Sequence, residues 1–205
     1  MDGIGHTGQP CFVRGTHIGT PQGEVLVEDL TIGQPVSTLS GAAQPVKWVG
    51  RRAYAADFVG ARPANYPVRI RQGALGGGLP HRDLLVSVNH ALYLDGWLIE
   101  AGNVANGRSI EHLRQWSGPI EYFHVELERH DVIFAEGAPT ETYLDCWNRF
   151  MFQNSESFRS LHPDFRISDQ VEFSGRLVSG PALDAVRARL AGCADTLFPE
   201  TGLAS

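Results

Sequence analysis

Three short segments of this 205-residue chain carry side chains suited to chemistry. The first runs from Cys11 to Thr20, CFVRGTHIGT. It sets a thiol ahead of Gly15 and Gly19, which permit tight turns and close approach of amides to sulfur, and of the hydroxyls of Thr16 and Thr20. The second is Ser87-Val88-Asn89-His90, a hydroxyl, an amide and an imidazole at the end of a strand. A bend after Ser87 would let hydroxyl and imidazole converge, as proton transfer to a reacting group requires. The third is His130-Asp131, between two apolar runs. Each has a plainer reading: Cys11 as a small buried hydrophobe, His90 as a hydrogen-bonded histidine, His130-Asp131 as a polar hairpin tip.

Other chemistry fits less well. Cys11, His90 and His130 are acceptable zinc ligands by type, but the C-x-x-C or H-x-x-x-H pair typical of such sites is missing. No metal or cofactor is expected. The glycines of QGALGGGLP lack the Lys-Ser/Thr of a phosphate loop, and there is no G-x-S-x-G elbow. His6, His81, His112 and His162 lie in loop-like sequence with no role assigned, and His17 reads as exposed. His124 is a second-tier candidate on a polar strand face.

The elements that must carry these residues read as short strands: Val25–Val27, Val46–Val49, Val68–Ile70, Leu84–Val88 and Val132–Phe134, punctuated by Gly, Pro, Asn and Asp. The clearest alternation is Ile120–Glu128, with Phe123, Val125 and Leu127 on one face and Tyr122, His124, Glu126 and Glu128 on the other. TPQGEVLVEDL and YLDGWLIEAGN echo one another weakly; a duplicated β unit would leave such a match, and so would chance. An all-β domain over residues 11–150 is expected, with a flexible flank at 1–10 and a C-terminal extension at 151–205. In that extension QNSESFRSLHPDF reads as loop. A helix is expected near 181–191, opened by Pro181, presenting Leu183, Val186 and Leu190 on one face and stopped by Gly192.

A net charge of −6 disfavours a nucleic-acid partner, so Arg69 and Arg71 read as the wet face of a strand. No apolar run approaches the ~18 residues of a membrane helix, and MDGIGHTGQP lacks the features of a signal peptide. A soluble chain without a membrane span is expected, its compartment open. Cys11, Cys146 and Cys193 are odd in number and far apart, against a disulfide framework.

Taken together, three blocks resemble the Hint domain, the autoprocessing module shared by hedgehog C-terminal regions and inteins. CFVRGTHIGTPQGEVLVEDLTIGQPV is similar to its first block, SVNHALYL to its Thr-x-x-His block with Ser87 in place of Thr, and YFHVELERHDVIFAEG to a late block in which a strand leads to a His. The chain most resembles bacterial Hint proteins that carry V-x-W-x-G-R-R, here Val46–Arg52, and E-Y-F-H-V-E-L. It departs from splicing inteins, which end in His-Asn followed by Cys, Ser or Thr: Asn148 has no His before it and Arg149 after it.

The resemblance implies a compact Hint-like fold of many short strands with pseudo-two-fold duplication, and an N-to-S acyl shift. Cys11 attacks the Pro10 carbonyl, His90 protonates the leaving nitrogen, Ser87 and the Gly15 and Thr16 amides hold the oxyanion, and His130 or Asp131 takes the thiol proton. The partner is a polypeptide fused before Cys11, and water or a small nucleophile opens the thioester, without C-terminal splicing. Two rivals stand beside it: a degenerate Hint fold serving as a binding or assembly module, and a cysteine hydrolase acting in trans.

Overall fold

The computed structural model describes residues 10–57 and 65–199. The expected flank before Pro10, with His6, and the last six positions lie outside them. Two antiparallel sheets dominate. The seven-stranded sheet has the order β10 (Ile110–His112), β6 (Val68–Ile70), β7 (Leu84–Val86), β1 (Phe12–Val13), β11 (Ile120–Leu127), β5 (Gln44–Tyr54) and β4 (Pro35–Val36). The six-stranded sheet has the order β3 (Gly23–Leu26), β2 (His17–Thr20), β12 (Val132–Ala135), β13 (Ala138–Glu141), β8 (Ala91–Leu94) and β9 (Trp97–Glu100). The two echoing sequences form the hairpins β2–β3 and β8–β9, at opposite edges of the second sheet with β12–β13 between them. That is the placement a duplicated β unit would give.

Both sheets contribute to the main core: Phe12, Val86, Phe123 and Val125 from one, Ile18, Leu92, Ile99 and Ile133 from the other. The outward face of β11 departs from the alternation reading. Tyr122, His124 and Glu126 are buried, not wet, because β11 runs between β1 and β5 and the chain after Glu141 folds over it. Trp48, Tyr143, Phe152 and Phe158 make a second apolar cluster there. Gly50 is the small residue that admits them: a Cβ at this position would stand 2.7 Å from the Trp48 ring and 2.8 Å from Phe152. The buried guanidinium of Arg149 closes the cluster, ion-paired to Glu126 and Asp145 and 3.5 Å from the centre of the Phe158 ring.

The sequence read as loop holds a seven-residue helix, α1 (Ser155–Leu161). Phe158 is its only buried residue, too little for a periodic signal. The last helix, α2 (Pro181–Leu197), starts at Pro181 as expected and docks Leu183, Val186 and Leu190 on the main core. It does not stop at Gly192. Ala194 packs inward on the following turn and Asp195 pairs with Arg108, so packing carries the helix past its weakest residue. No helix among the described residues is long and apolar enough to cross a membrane.

Candidate functional site

Cys11 precedes β1, the short strand wedged between β7 and β11 in the middle of the larger sheet. The side chain is buried. Its backbone is held from both sides by one residue: the Cys11 N–H donates to Ser87 Oγ at 2.8 Å, and the Ser87 N–H donates to the Cys11 carbonyl at 2.9 Å. Ser87 thus addresses the nitrogen that would leave, rather than the Pro10 carbonyl. The Gly15 and Thr16 amides are not oxyanion donors in this structure. Gly15 N–H donates to Glu28 at 2.9 Å and Thr16 N–H to the Val13 carbonyl at 3.2 Å, the ordinary bonds of a tight turn. The Thr16 and Thr20 hydroxyls likewise donate to local carbonyls.

The bend after Ser87 forms, with the His90 N–H donating to the Ser87 carbonyl at 3.0 Å. It turns the His90 ring onto Phe12, centroid to centroid 4.3 Å, with the Cys11 backbone alongside. His90 is fully buried and neither ring nitrogen has a hydrogen-bond partner of good geometry. His124 lies behind it at 5.3 Å, equally buried and equally unpartnered, with Tyr143 beyond at 5.2 Å. Burial lowers the His90 pKa to about 3, the Arg176 charge pushing the same way and the Cys11 backbone offsetting part of it. Burial likewise drives His124 well below the ordinary range. The Cys11 thiol is pushed far up by burial, against the pull of Arg52. At neutral pH Cys11 therefore rests as the thiol and His90 as the neutral imidazole, its ring by the Cys11 backbone. Buried polar atoms without partners cost roughly 1–3 kcal/mol each, and two adjacent imidazoles here carry that cost.

His130 and Asp131 are bonded elsewhere. His130 Nε2 donates to the Thr142 carbonyl at 3.1 Å and Nδ1 accepts from the Phe173 N–H at 2.9 Å, which fixes a neutral tautomer. Asp131 accepts from Ser40, Gln44 and the Val132 N–H. None of these contacts is with Cys11, Ser87 or His90. No group of three or more His, Cys, Asp and Glu among the described residues is arranged to hold a metal.

A cavity of about 80 Å³ opens beside Pro10, lined by Asn89, Glu100, Glu141, Cys146, Asn148 and Arg176, among others. The sequence profile of the Hint domain matches residues 10–147, from the residue before Cys11 to the far wall of this cavity. The chain belongs to the Hint domain family. Solved structures of similar shape include the gp41-1 intein, at 16% identity, TM-score 0.47, covering 65% of this chain and 98% of that one. A bacterial intein-like domain from Clostridium thermocellum is also similar, at 16% identity and TM-score 0.47, over 66% of this chain and 100% of the other. A DnaB intein from Synechocystis sp. PCC 6803 follows at 11% identity and TM-score 0.43, over 66% and 99%. No curated protein sequence matches the chain.

Sequence reasoning passed over Glu141, within the Hint match, and Arg176, beyond it. Glu141 is fully buried at the end of β13, with Oε1 accepting from the Ala91 N–H at 2.7 Å and Oε2 paired with Arg176. Burial raises its pKa, and Arg176 opposes the rise. The signal available was a Glu in a strand of otherwise apolar and hydroxyl residues, APTETY, which reads as solvent-facing until β8 is laid against β13.

Proposed function

We propose that this Hint domain cleaves its own chain at the Pro10–Cys11 bond. Membership of the family supports an autoprocessing kind of function. The observation that carries the specific reading is the arrangement at Cys11: the amide nitrogen of this buried residue is held by Ser87, and an imidazole with no hydrogen-bond partner of good geometry lies by its backbone.

The neutral resting pair suits a proton shuttle. As Cys11 Sγ bonds to the Pro10 carbonyl carbon, the thiol proton passes to His90; as the carbon–nitrogen bond breaks, His90 returns it to the Cys11 nitrogen. Amide plus thiol becomes thioester plus amine, with no external reactant. A depressed pKa makes protonated His90 a strong acid toward the leaving nitrogen and neutral His90 a weak base toward the thiol. Ser87 Oγ keeps the leaving nitrogen in one orientation, which is where positioning lowers a barrier. Water then adds to the thioester, leaving a carboxylate on Pro10 and the free thiol on Cys11; a small amine or thiol serves equally. Asn148 has Trp147 before it and Arg149 after it, and its side-chain oxygen accepts from the Tyr143 hydroxyl at 2.6 Å, a setting that argues against asparagine cyclisation and splicing.

The test is a tagged polypeptide fused before Pro10, incubated with dithiothreitol or hydroxylamine. Release that stops with Cys11→Ala and slows with His90→Ala is expected. Release indifferent to Cys11→Ala removes the reading, and no release from the parent chain favours a binding role.

A further inference from the structure

The chain beyond the family match returns to the site. Residues 173–177 lie along β9 as a parallel strap: the Leu98 N–H donates to the Gly175 carbonyl at 3.1 Å, and the Leu177 N–H donates to the Leu98 carbonyl at 3.0 Å. Ser174 Oγ adds a bond to the Gly96 carbonyl, and the Phe173 N–H donates to His130. This strap carries Arg176 to the wall of the Pro10 cavity.

Arg176 is committed there. Nη2 pairs with Glu141 Oε2 and Nε with Glu172. The other oxygen of Glu141 holds the Ala91 N–H, and Ala91 follows His90 directly. A cation from outside the matched region is thus linked through one buried carboxylate to the backbone of the His90 turn. Glu141 cannot be left without it, since removing one partner of a buried pair strands the other.

We infer that residues 170–177 are part of the processing site, with Arg176 as a positioning residue that holds Glu141, and through it the His90 turn, against the Pro10–Cys11 bond. This rests on the processing reading for its effect on rate, but not for its effect on the turn. His90 is faced by Phe12 from β1 and the Cys11 backbone just before it, by His124 from β11 and by the Arg176 charge from the strap, while Glu141 from β13 holds the N–H of the next residue. Of these Arg176 is the permanent cation, and its charge disfavours protonation of His90, His124 and His130 alike.

The experiment uses the full chain with its N-terminal tag, as parent, Arg176→Ala, Arg176→Gln and Arg176→Lys, each checked for fold by circular dichroism. Tag release is timed in hydroxylamine, and amide exchange at Ala91 and the His90 ring titration are followed by NMR. Arg176→Ala should slow release on the order of 10- to 100-fold, the range expected when a reacting group is misplaced. Arg176→Lys should restore part of it as a point charge on Glu141. Arg176→Gln should speed exchange at Ala91 and move the His90 titration to higher pH, and it carries the test if the Ala variant does not fold. Release within about twofold of the parent in the Ala or Gln variant overturns the proposal. So does unchanged exchange at Ala91, which is read whether or not the parent cleaves. A parent that releases no tag at all overturns the processing reading instead.

Discussion

Acid singles out His90. The ring is buried without a partner on either nitrogen, and burial takes its pKa from an ordinary 6.5 to about 3. In the unfolded chain the imidazole gains its proton as the pH falls through 6.5, whereas in the fold it stays neutral down to about 3. Across that window the unfolded state binds the extra proton, so stability falls on acidification. At about pH 4.5 the medium lies about two units below the unfolded value, which costs roughly 2.7 kcal/mol at 1.36 kcal/mol per unit. His124, driven well below the ordinary range, and His130, lowered to about 4, both chiefly by burial, act with the same sign. Glu126 and Glu141 act against it, since burial raises their carboxyl pKa values and protonation relieves that cost. The overall slope therefore mixes several groups, and the informative quantity is the difference between the parent and His90→Gln. Urea unfolding near pH 7 and pH 4.5 should show the parent losing about 2.7 kcal/mol more than the variant. Equal losses would refute the claim that His90 is held neutral in the fold.

Three further outcomes follow from named contacts. Gly50→Ala places a Cβ inside contact distance of Trp48 and Phe152 and should lower stability by about 1–3 kcal/mol, read as a drop in Tm. Arg149→Ala strands Glu126 and Asp145 in an apolar cluster and should cost about 3–5 kcal/mol, while Arg149→Met with Glu126→Gln should recover part of that; a loss below 1 kcal/mol in calorimetry would contradict the buried triad. Ser87→Ala removes the acceptor on the Cys11 nitrogen and should slow tag release on the order of tenfold while the fold persists, as circular dichroism will check.

The strand content and the main core were legible because both sheets are made of short β-branched runs cut by turn residues, and their inward faces obey period two. The outward face of β11 was not, because its polar alternation describes a face that only later residues cover. Arg149, 23 positions from Glu126, neutralises that carboxylate from another element. Helix α1 escaped for a related reason: one buried Phe158 gives no period. At the site, the types and spacing of Ser87 and His90 sufficed to bring them to Cys11, since a single turn joins them. His130 and Asp131 looked equivalent in sequence and are bound to Thr142, Phe173, Ser40 and Gln44 instead. Adjacency in sequence says nothing of which side of a sheet the hydrogen bonds reach. Glu141 and Arg176 meet across 35 positions and carried no local signature at all.

The most direct test of the central claim is the mass of the fragment that leaves. A tagged chain incubated in hydroxylamine should release an N-terminal piece ending in Pro10 as its hydroxamate, the product of a thioester opened by that nucleophile, with the remaining chain beginning at Cys11. The Cys11→Ala chain should stay whole. A fragment ending at any other residue, or release that persists without the thiol, would contradict the account.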